Sequence, residues 1–136
     1  MEIFKLNVSG GGILVVIIAL VDKKPILMVL DTGASHSILD INWAQKNLPK
    51  KEIIVLPDAG SGMGSTFDVY KAKVASFNIG EKTLTSRTFM LTDLGTINSA
   101  YDKEGFDPVY GMLGGDILNE FGVIIDYGKM KLKFKK

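Results

Sequence analysis

Short apolar runs, each bounded by Gly, Pro or charged residues, dominate the pattern of hydrophobic and polar positions along the chain. The run Ile13–Val21 and the run at residues 25–30 are separated by a polar turn, which predicts a β-hairpin. Further strand patterns lie at residues 52–56, 66–77, 83–91, 123–127 and 130–134. The chain is therefore predicted to be mainly β.

Two segments carry the signals of short helices. Asp40 precedes a helical pattern that ends near Lys46, and it is a suitable N-cap because its side chain can accept a hydrogen bond from the first turn. A second short helix is predicted over residues 114–121 and ends at Gly122. Residues 92–108 are polar and lack periodicity, so we expect a long loop there, functional or mobile.

Composition narrows the chemistry that is open to this chain. A length of 136 residues corresponds to one domain, residues 1–136, and a net charge of +1 gives no reason to expect a nucleic-acid or membrane partner. The absence of Cys and the single His exclude thiolate nucleophiles and disfavour zinc, so no metal and no cofactor is expected. We expect neither a signal peptide nor a transmembrane segment, and together with the lack of Cys this weakly favours a cytoplasmic location.

One motif carries most of the chemical information. Asp31 ends an apolar run and is followed at once by Thr32 and Gly33, so its carboxylate is held on a tight turn at the edge of a core. Alone, this tripeptide is compatible with an ordinary strand-ending turn. A second apolar–apolar–Gly element lies far downstream at Met112, Leu113 and Gly114.

The sequence Asp31-Thr32-Gly33-Ala34-Ser35, in register with that downstream element, resembles the retroviral-type (retropepsin-like) aspartic proteases over residues 25–134. The resemblance implies an all-β, closed-barrel-like fold with one or two short helices, and a peptide or protein substrate. It also implies that Asp31 is the catalytic carboxylate and that residues 32–35 support the active-site turn. Thr32 would brace that turn across a dimer axis, Gly33 would direct a carbonyl toward the substrate, and the apolar–apolar–Gly element would pack beneath the turn.

The chain contains one Asp-Thr-Gly, whereas hydrolysis by carboxylates alone requires two that share a proton. Half a site per chain implies a homodimer in which a two-fold axis supplies the other Asp31.

A glycine-rich segment at residues 60–64 is the next signal. It lacks the Lys of a phosphate-binding loop, and it is compatible with a plain turn. The family resemblance instead implies a flap that closes over the substrate, formed by Gly60, Gly62, Met63 and Gly64.

The remaining polar residues are expected to be structural. His36 is predicted to be solvated or packed, Asp116 to cap the second helix, and Asp126 to have a structural role in its strand. The carboxylates of residues 92–108 are expected to be solvated rather than to bind calcium. Lysines alternate with apolar residues over 129–135, which predicts a half-buried strand with a lysine face. The family resemblance adds the alternative that the terminal strands of two subunits interleave in one sheet.

Two alternatives stay open. The chain could be a non-catalytic dimerisation or peptide-binding module that keeps the protease fold, although an intact Asp-Thr-Gly argues against this. It could also be one domain of a larger protein.

Overall fold

A computed structural model describes the backbone of residues 1–62 and 65–136, and the side chains of residues 1–57 and 68–136. The strands are β1 (Phe4–Asn7), β2 (Ile13–Val21), β3 (Lys24–Leu30), β4 (Ile38–Asp40), β5 (Ile53–Gly62), β6 (Ser65–Ile79), β7 (Lys82–Thr92), β8 (Gly111–Leu113), β9 (Ile124–Asp126) and β10 (Lys131–Lys133). The helices are α1 (Ile41–Asn47), α2 (Gly95–Lys103) and α3 (Gly115–Glu120), with a single 3-10 turn at Lys50–Glu52.

Eight strands form one sheet in the order β1-β2-β3-β8-β4-β7-β6-β5, and β9 and β10 form a separate two-stranded sheet. An additional pairing of β2 with β6 joins the sheet back on itself, so the six strands from β2 to β6 along that order make a ring. The predicted all-β class with short helices is confirmed.

The main core fills the inside of this ring. Alternate residues of β2 point inward and are buried, as expected for a strand with one face on a core. Phe77 and Phe89 meet across β6 and β7 with ring centroids 5.0 Å apart, and both are almost completely buried. Burial of each such side chain contributes about 1.5–3 kcal/mol to the stability of the fold.

Local signals predicted the hairpins and the first helix correctly. The β2–β3 turn consists of Asp22 and Lys23, both at positive φ (48° and 68°), which is the turn geometry that matches the twist of two antiparallel strands. Asp40 is the N-cap of α1 and its carboxylate accepts a hydrogen bond from the Trp43 N–H at 3.0 Å.

The prediction of a long loop at residues 92–108 was wrong, because α2 lies within it. On α2, Ile97 and Tyr101 are one turn apart and pack with a second apolar cluster built on Val16, Val29 and Val109. With only these two apolar anchors, the helix has too little periodicity to be recognised in the sequence. Tertiary packing, rather than local pattern, stabilises it.

The N-terminal residues pair with β10 of the same chain. The Met1 ammonium donates to the Leu132 carbonyl at 2.9 Å, the Leu132 N–H donates to the Met1 carbonyl at 2.8 Å, and the Ile3 N–H donates to the Met130 carbonyl at 3.2 Å. Leu132 is fully buried while Lys133 is exposed, which confirms the predicted half-buried strand with a lysine face. None of the helices in the described ranges is long and apolar enough to span a membrane.

Candidate active site

Asp31 follows the last residue of β3, where β3 and β8 end side by side as parallel neighbours. The Asp31 N–H donates to the Leu113 carbonyl at 3.0 Å, which extends the β3–β8 pairing by one step into the turn. The Ala34 N–H donates to the Asp31 carbonyl at 3.1 Å and closes the turn. The Asp31 backbone is therefore held on both sides by main-chain hydrogen bonds.

The Asp31 carboxylate is half-buried, and the turn presents Thr32 and Gly33 to solvent. One carboxylate oxygen, Oδ1, accepts the Gly33 N–H at 3.2 Å. In the part of the chain that the structure describes, no lysine or arginine forms an ion pair with Asp31. Among the described residues, the Gly33 N–H is the one group that bonds to this carboxylate, which has further acceptor positions.

The downstream apolar–apolar–Gly element lies against this turn, as the sequence predicted. The Gly115 N–H donates to the Ala34 carbonyl at 2.7 Å. A Cβ at Gly114 would lie 2.9 Å from the carbonyl oxygens of both Ala34 and His36, too close for any side chain. Glycine is required at position 114 because two segments of backbone meet there.

Ser37 and Asp116 form a hydrogen-bond network that sequence reasoning missed. The buried Ser37 hydroxyl donates to Asp116 Oδ1 at 2.7 Å and accepts the Gly114 N–H at 2.9 Å. The Ser37 N–H also donates to the Asp116 carboxylate, at 3.0 and 3.1 Å. The network joins Ser37, which follows the Asp31 turn, to Gly114 and Asp116, which lie beneath that turn. In the sequence, the only sign of this network is that Asp116 comes two residues after Gly114.

Asp116 caps α3 only in part. Gly114 occupies the N-cap position and makes no side-chain cap. Asp116 lies in the first turn, where its carboxylate accepts the Ile117 N–H at 2.8 Å and also holds Ser37. Burial acts to raise the pKa of Asp116, but the hydrogen bonds from Ser37 and Ile117 and the charge of Arg87 outweigh it and lower that pKa.

Arg87 of β7 lies beside Asp116 and Glu120 of α3. Its guanidinium lies 2.8 Å from Glu120 Oε1 and 4.0 Å from Asp116 Oδ2. The guanidinium therefore lies between two carboxylates of α3 and connects that helix to the strand ring.

The other predicted polar residues lie apart from Asp31. His36 is exposed, with Nδ1 3.1 Å from the Ser35 hydroxyl oxygen, and no hydrogen bond joins it to Asp31. Asp126 accepts the Lys129 N–H at 3.0 Å and lies 3.5 Å from Lys133 Nζ, consistent with its expected structural role. The Lys129 hydrogen bond is the main cause that lowers the pKa of Asp126.

The glycine-rich segment is described only in part. Gly60 and Gly62 lie in β5, opposite Phe67 and Ser65 of β6, so the segment belongs to a hairpin. Met63 and Gly64 lie outside the described residues.

A groove of about 330 Å³ opens beside the turn. Its lining combines the Asp31 turn, α3 and β9, through Thr32, Gly115, Leu118, Asn119, Gly122, Val123 and Ile125. Across the described ranges, no three His, Asp or Glu side chains converge as a metal site.

Comparison with known proteins agrees with this geometry. The aspartyl protease family matches residues 17–117, which span both the Asp31 turn and the Gly114 element. The chain belongs to the aspartyl protease family. No curated protein matches it in sequence.

Solved structures share the fold. A retropepsin-like aspartic protease from Rickettsia conorii is 24% identical, with a TM-score of 0.59 over 96% of this chain and 89% of that one. The retroviral protease-like domain of Ddi1 from Leishmania major is 13% identical, with a TM-score of 0.62 over 89% of this chain and 87% of that one. EIAV protease, in complex with the inhibitor HBY-793, is 20% identical, with a TM-score of 0.53 over 79% of this chain and 86% of that one. The retropepsin-like resemblance seen in the sequence is confirmed.

Proposed function

We propose that this protein is an aspartic endopeptidase that hydrolyses extended peptides, and that its active site contains Asp31 from each of two chains. The observation that carries the proposal is the Asp31 turn. Its backbone is fixed by Leu113, while its carboxylate has acceptor positions that no described cation occupies. A family match that spans both segments of the site supports the same conclusion.

Two Asp31 carboxylates that share one proton can perform both proton transfers of the reaction. The ionised carboxylate takes a proton from water as the water oxygen attacks the scissile carbonyl carbon, and the protonated one donates its proton to the carbonyl oxygen. Collapse of the resulting diol then breaks the C–N bond, with a proton transferred to the leaving nitrogen. Hydrolysis by this route needs neither a metal nor a covalent enzyme intermediate.

The surrounding residues fit supporting roles in this proposal. The exposed Thr32 is available to brace the turn against its symmetry mate, and Gly33 brings backbone close to an incoming peptide. We propose that the hairpin of β5 and β6 is the flap, with Gly60, Gly62, Met63 and Gly64 near its tip. An extended peptide between flap and turn would gain main-chain hydrogen bonds like those of an added strand.

A peptide-library cleavage assay across pH, with Asp31→Asn as the test variant, examines this proposal. Asn occupies the same space but cannot take part in proton sharing, so we expect loss of cleavage with an unchanged circular dichroism spectrum. Asp102→Asn, at an exposed position on α2, is the matched control and should retain wild-type cleavage. Cleavage by Asp31→Asn would overturn the proposal. A folded wild type that binds peptides but cleaves none would favour the non-catalytic peptide-binding module.

A further inference from the structure

The face of the sheet that carries Asp31 is the face opposite the main core. Along β3, Met28 and Leu30 contact the main core, whereas Val29 belongs to the second apolar cluster. Side chains alternate between the two faces of a strand, and the Asp31 N–H is still bonded to β8. The Asp31 side chain therefore lies on the same face as that of Val29. We call the surface that these two residues share the Asp31 face.

A row of cross-strand partners crosses the Asp31 face from β3 to β5. Each strand contributes one residue, and each residue is the direct partner of the next: Val29, Met112, Ile38, Met90, Lys71 and Ile54. Ile38 and Met90 are half-buried and belong to neither apolar cluster. The residues that follow them along their strands, Leu39 and Leu91, lie in the main core. The row is therefore an apolar surface outside the core, interrupted by one lysine.

The two ends of this row are covered unequally. α2 packs on one end through Ile97 and Tyr101, in the same cluster as Met112. The other end is open, since Ile54 is 45% exposed. This open end is also the base of the β5–β6 hairpin, the proposed flap. A peptide held between that hairpin and the Asp31 turn would therefore lie along the row.

Lys71 is the charged residue in the row. Its side chain is half-buried, and in the part of the chain that the structure describes no carboxylate forms an ion pair with it. Its partners on the two neighbouring strands, Ile54 and Met90, are both apolar. These surroundings shield the ammonium group partly from water, so a carboxylate that reaches it interacts more strongly than at a fully exposed lysine.

We propose that Lys71 is a specificity-determining residue, and that the preferred substrates are peptides with an Asp or Glu side chain that pairs with the Lys71 ammonium. This inference rests on the proposed function, because that function places the peptide between the flap and the Asp31 turn. Four strand spacings separate Lys71 from β3, about 19 Å along the sheet, and an extended peptide spans about 3.3 Å per residue. The acidic side chain should therefore lie within about six residues of the scissile bond.

Peptide binding to the Asp31→Asn variant tests this inference without cleavage. The probes are fluorescein-labelled decapeptide mixtures in which one position at a time is fixed as Glu, Gln or Lys, and binding is read by fluorescence anisotropy. At one or more positions, the Glu mixture should bind roughly threefold or more tighter than the Gln mixture, which has the same shape without the charge. The Lys mixture should bind more weakly than the Gln mixture at that position. These differences should shrink at high salt.

Variants of Lys71 in the same Asp31→Asn background identify the residue responsible. Lys71→Met should abolish the preference for Glu over Gln, because Met keeps a long side chain and lacks the charge. Lys71→Glu should reverse it in favour of the Lys mixture, and Lys71→Arg should keep it. Lys73→Met is the matched control and should also keep it. Lys73 lies two residues along β6, is exposed, and lines a separate pocket with Asp22 and Glu52.

Equal binding of the Glu and Gln mixtures at every position would overturn the inference, as would a preference that survives Lys71→Met. A preference that is lost equally in Lys73→Met would also overturn it, because the effect would then follow from net charge rather than from position. None of these readouts uses peptide cleavage, so the proposed activity stands or falls separately in the Asp31→Asn cleavage assay.

Discussion

At the scale of single residues, Asp116 connects the chemistry to the scaffold. Its carboxylate holds both the N–H and the hydroxyl of Ser37, and that hydroxyl in turn accepts the N–H of Gly114. Gly114 lies within contact of the Asp31 turn at Ala34 and His36. A substitution of Asp116 is therefore expected to affect the Asp31 turn through these hydrogen bonds and not through contact with a substrate.

Asp116→Asn should destabilise the fold by about 1–3 kcal/mol near neutral pH, because the amide has one acceptor oxygen instead of two and lacks the negative charge that strengthens the hydrogen bonds from Ser37 and Ile117. The lowered pKa of Asp116 sets the pH dependence of this difference. The stabilisation of the wild type is fully present above the unfolded value of about 3.8 and is lost as pH falls through the lower folded value.

Urea unfolding at several pH values measures the effect. The gap between wild type and Asp116→Asn should shrink as the pH drops below 3.8. Asp107→Asn, at an exposed position, is the control and should match wild type throughout. A gap that is independent of pH would show that the charge of Asp116 contributes nothing.

At the scale of elements, α2 shows how a polar segment becomes ordered. Its Asn98 side chain donates to the Val109 carbonyl and accepts the Val109 N–H, both at 2.8 Å. Val109 is fully buried, so its N–H and C=O need hydrogen-bond partners. The Asn98 side-chain amide supplies both, as the backbone of a neighbouring strand would. The contact ties α2 to the segment that leads into β8 and the Gly114 element.

Asn98→Ala should lower the free energy of unfolding by about 1–3 kcal/mol, because the buried N–H and C=O of Val109 would lose their partners. Ser99→Ala, one residue along the helix and exposed, is the control and should change stability by less than about 0.5 kcal/mol. Chemical denaturation of both variants gives the comparison. Equal effects would mean that the Asn98 contact adds nothing beyond helix propensity.

At the scale of the whole molecule, one chain carries half of the proposed site, so the proposed function makes assembly a requirement for catalysis. The proposed mechanism requires one ionised and one protonated Asp31 carboxylate at the same time. The dependence of rate on pH should therefore be bell-shaped.

Specific activity should fall as the enzyme is diluted below its dimer dissociation constant, because a monomer has only one Asp31. Peptide cleavage over a dilution series, with sedimentation at matched concentrations, measures this. Two copies joined by a flexible linker are the control and should retain activity on dilution. Constant specific activity in a monomeric sample would contradict the shared dyad.

The sequence by itself determined the parts of this protein that depend on local pattern. Uninterrupted apolar runs defined β2 and β3, and Asp40 defined the start of α1, because such signals need only neighbours along the chain. Asp31-Thr32-Gly33 in register with Gly114 identified the family by resemblance. The same signals did not show α2, whose two apolar anchors find their partners on distant strands.

Only the tertiary structure decided which groups meet. Ser37 and Asp116 are far apart in sequence, and nothing local shows that the serine is buried or that the aspartate turns from its helix toward it. The pairing of the N-terminal residues with β10 likewise joins Met1 and Leu132, which lie near opposite ends of the chain. Contacts of this kind join segments that are distant along the chain, and so they follow from packing rather than from periodicity.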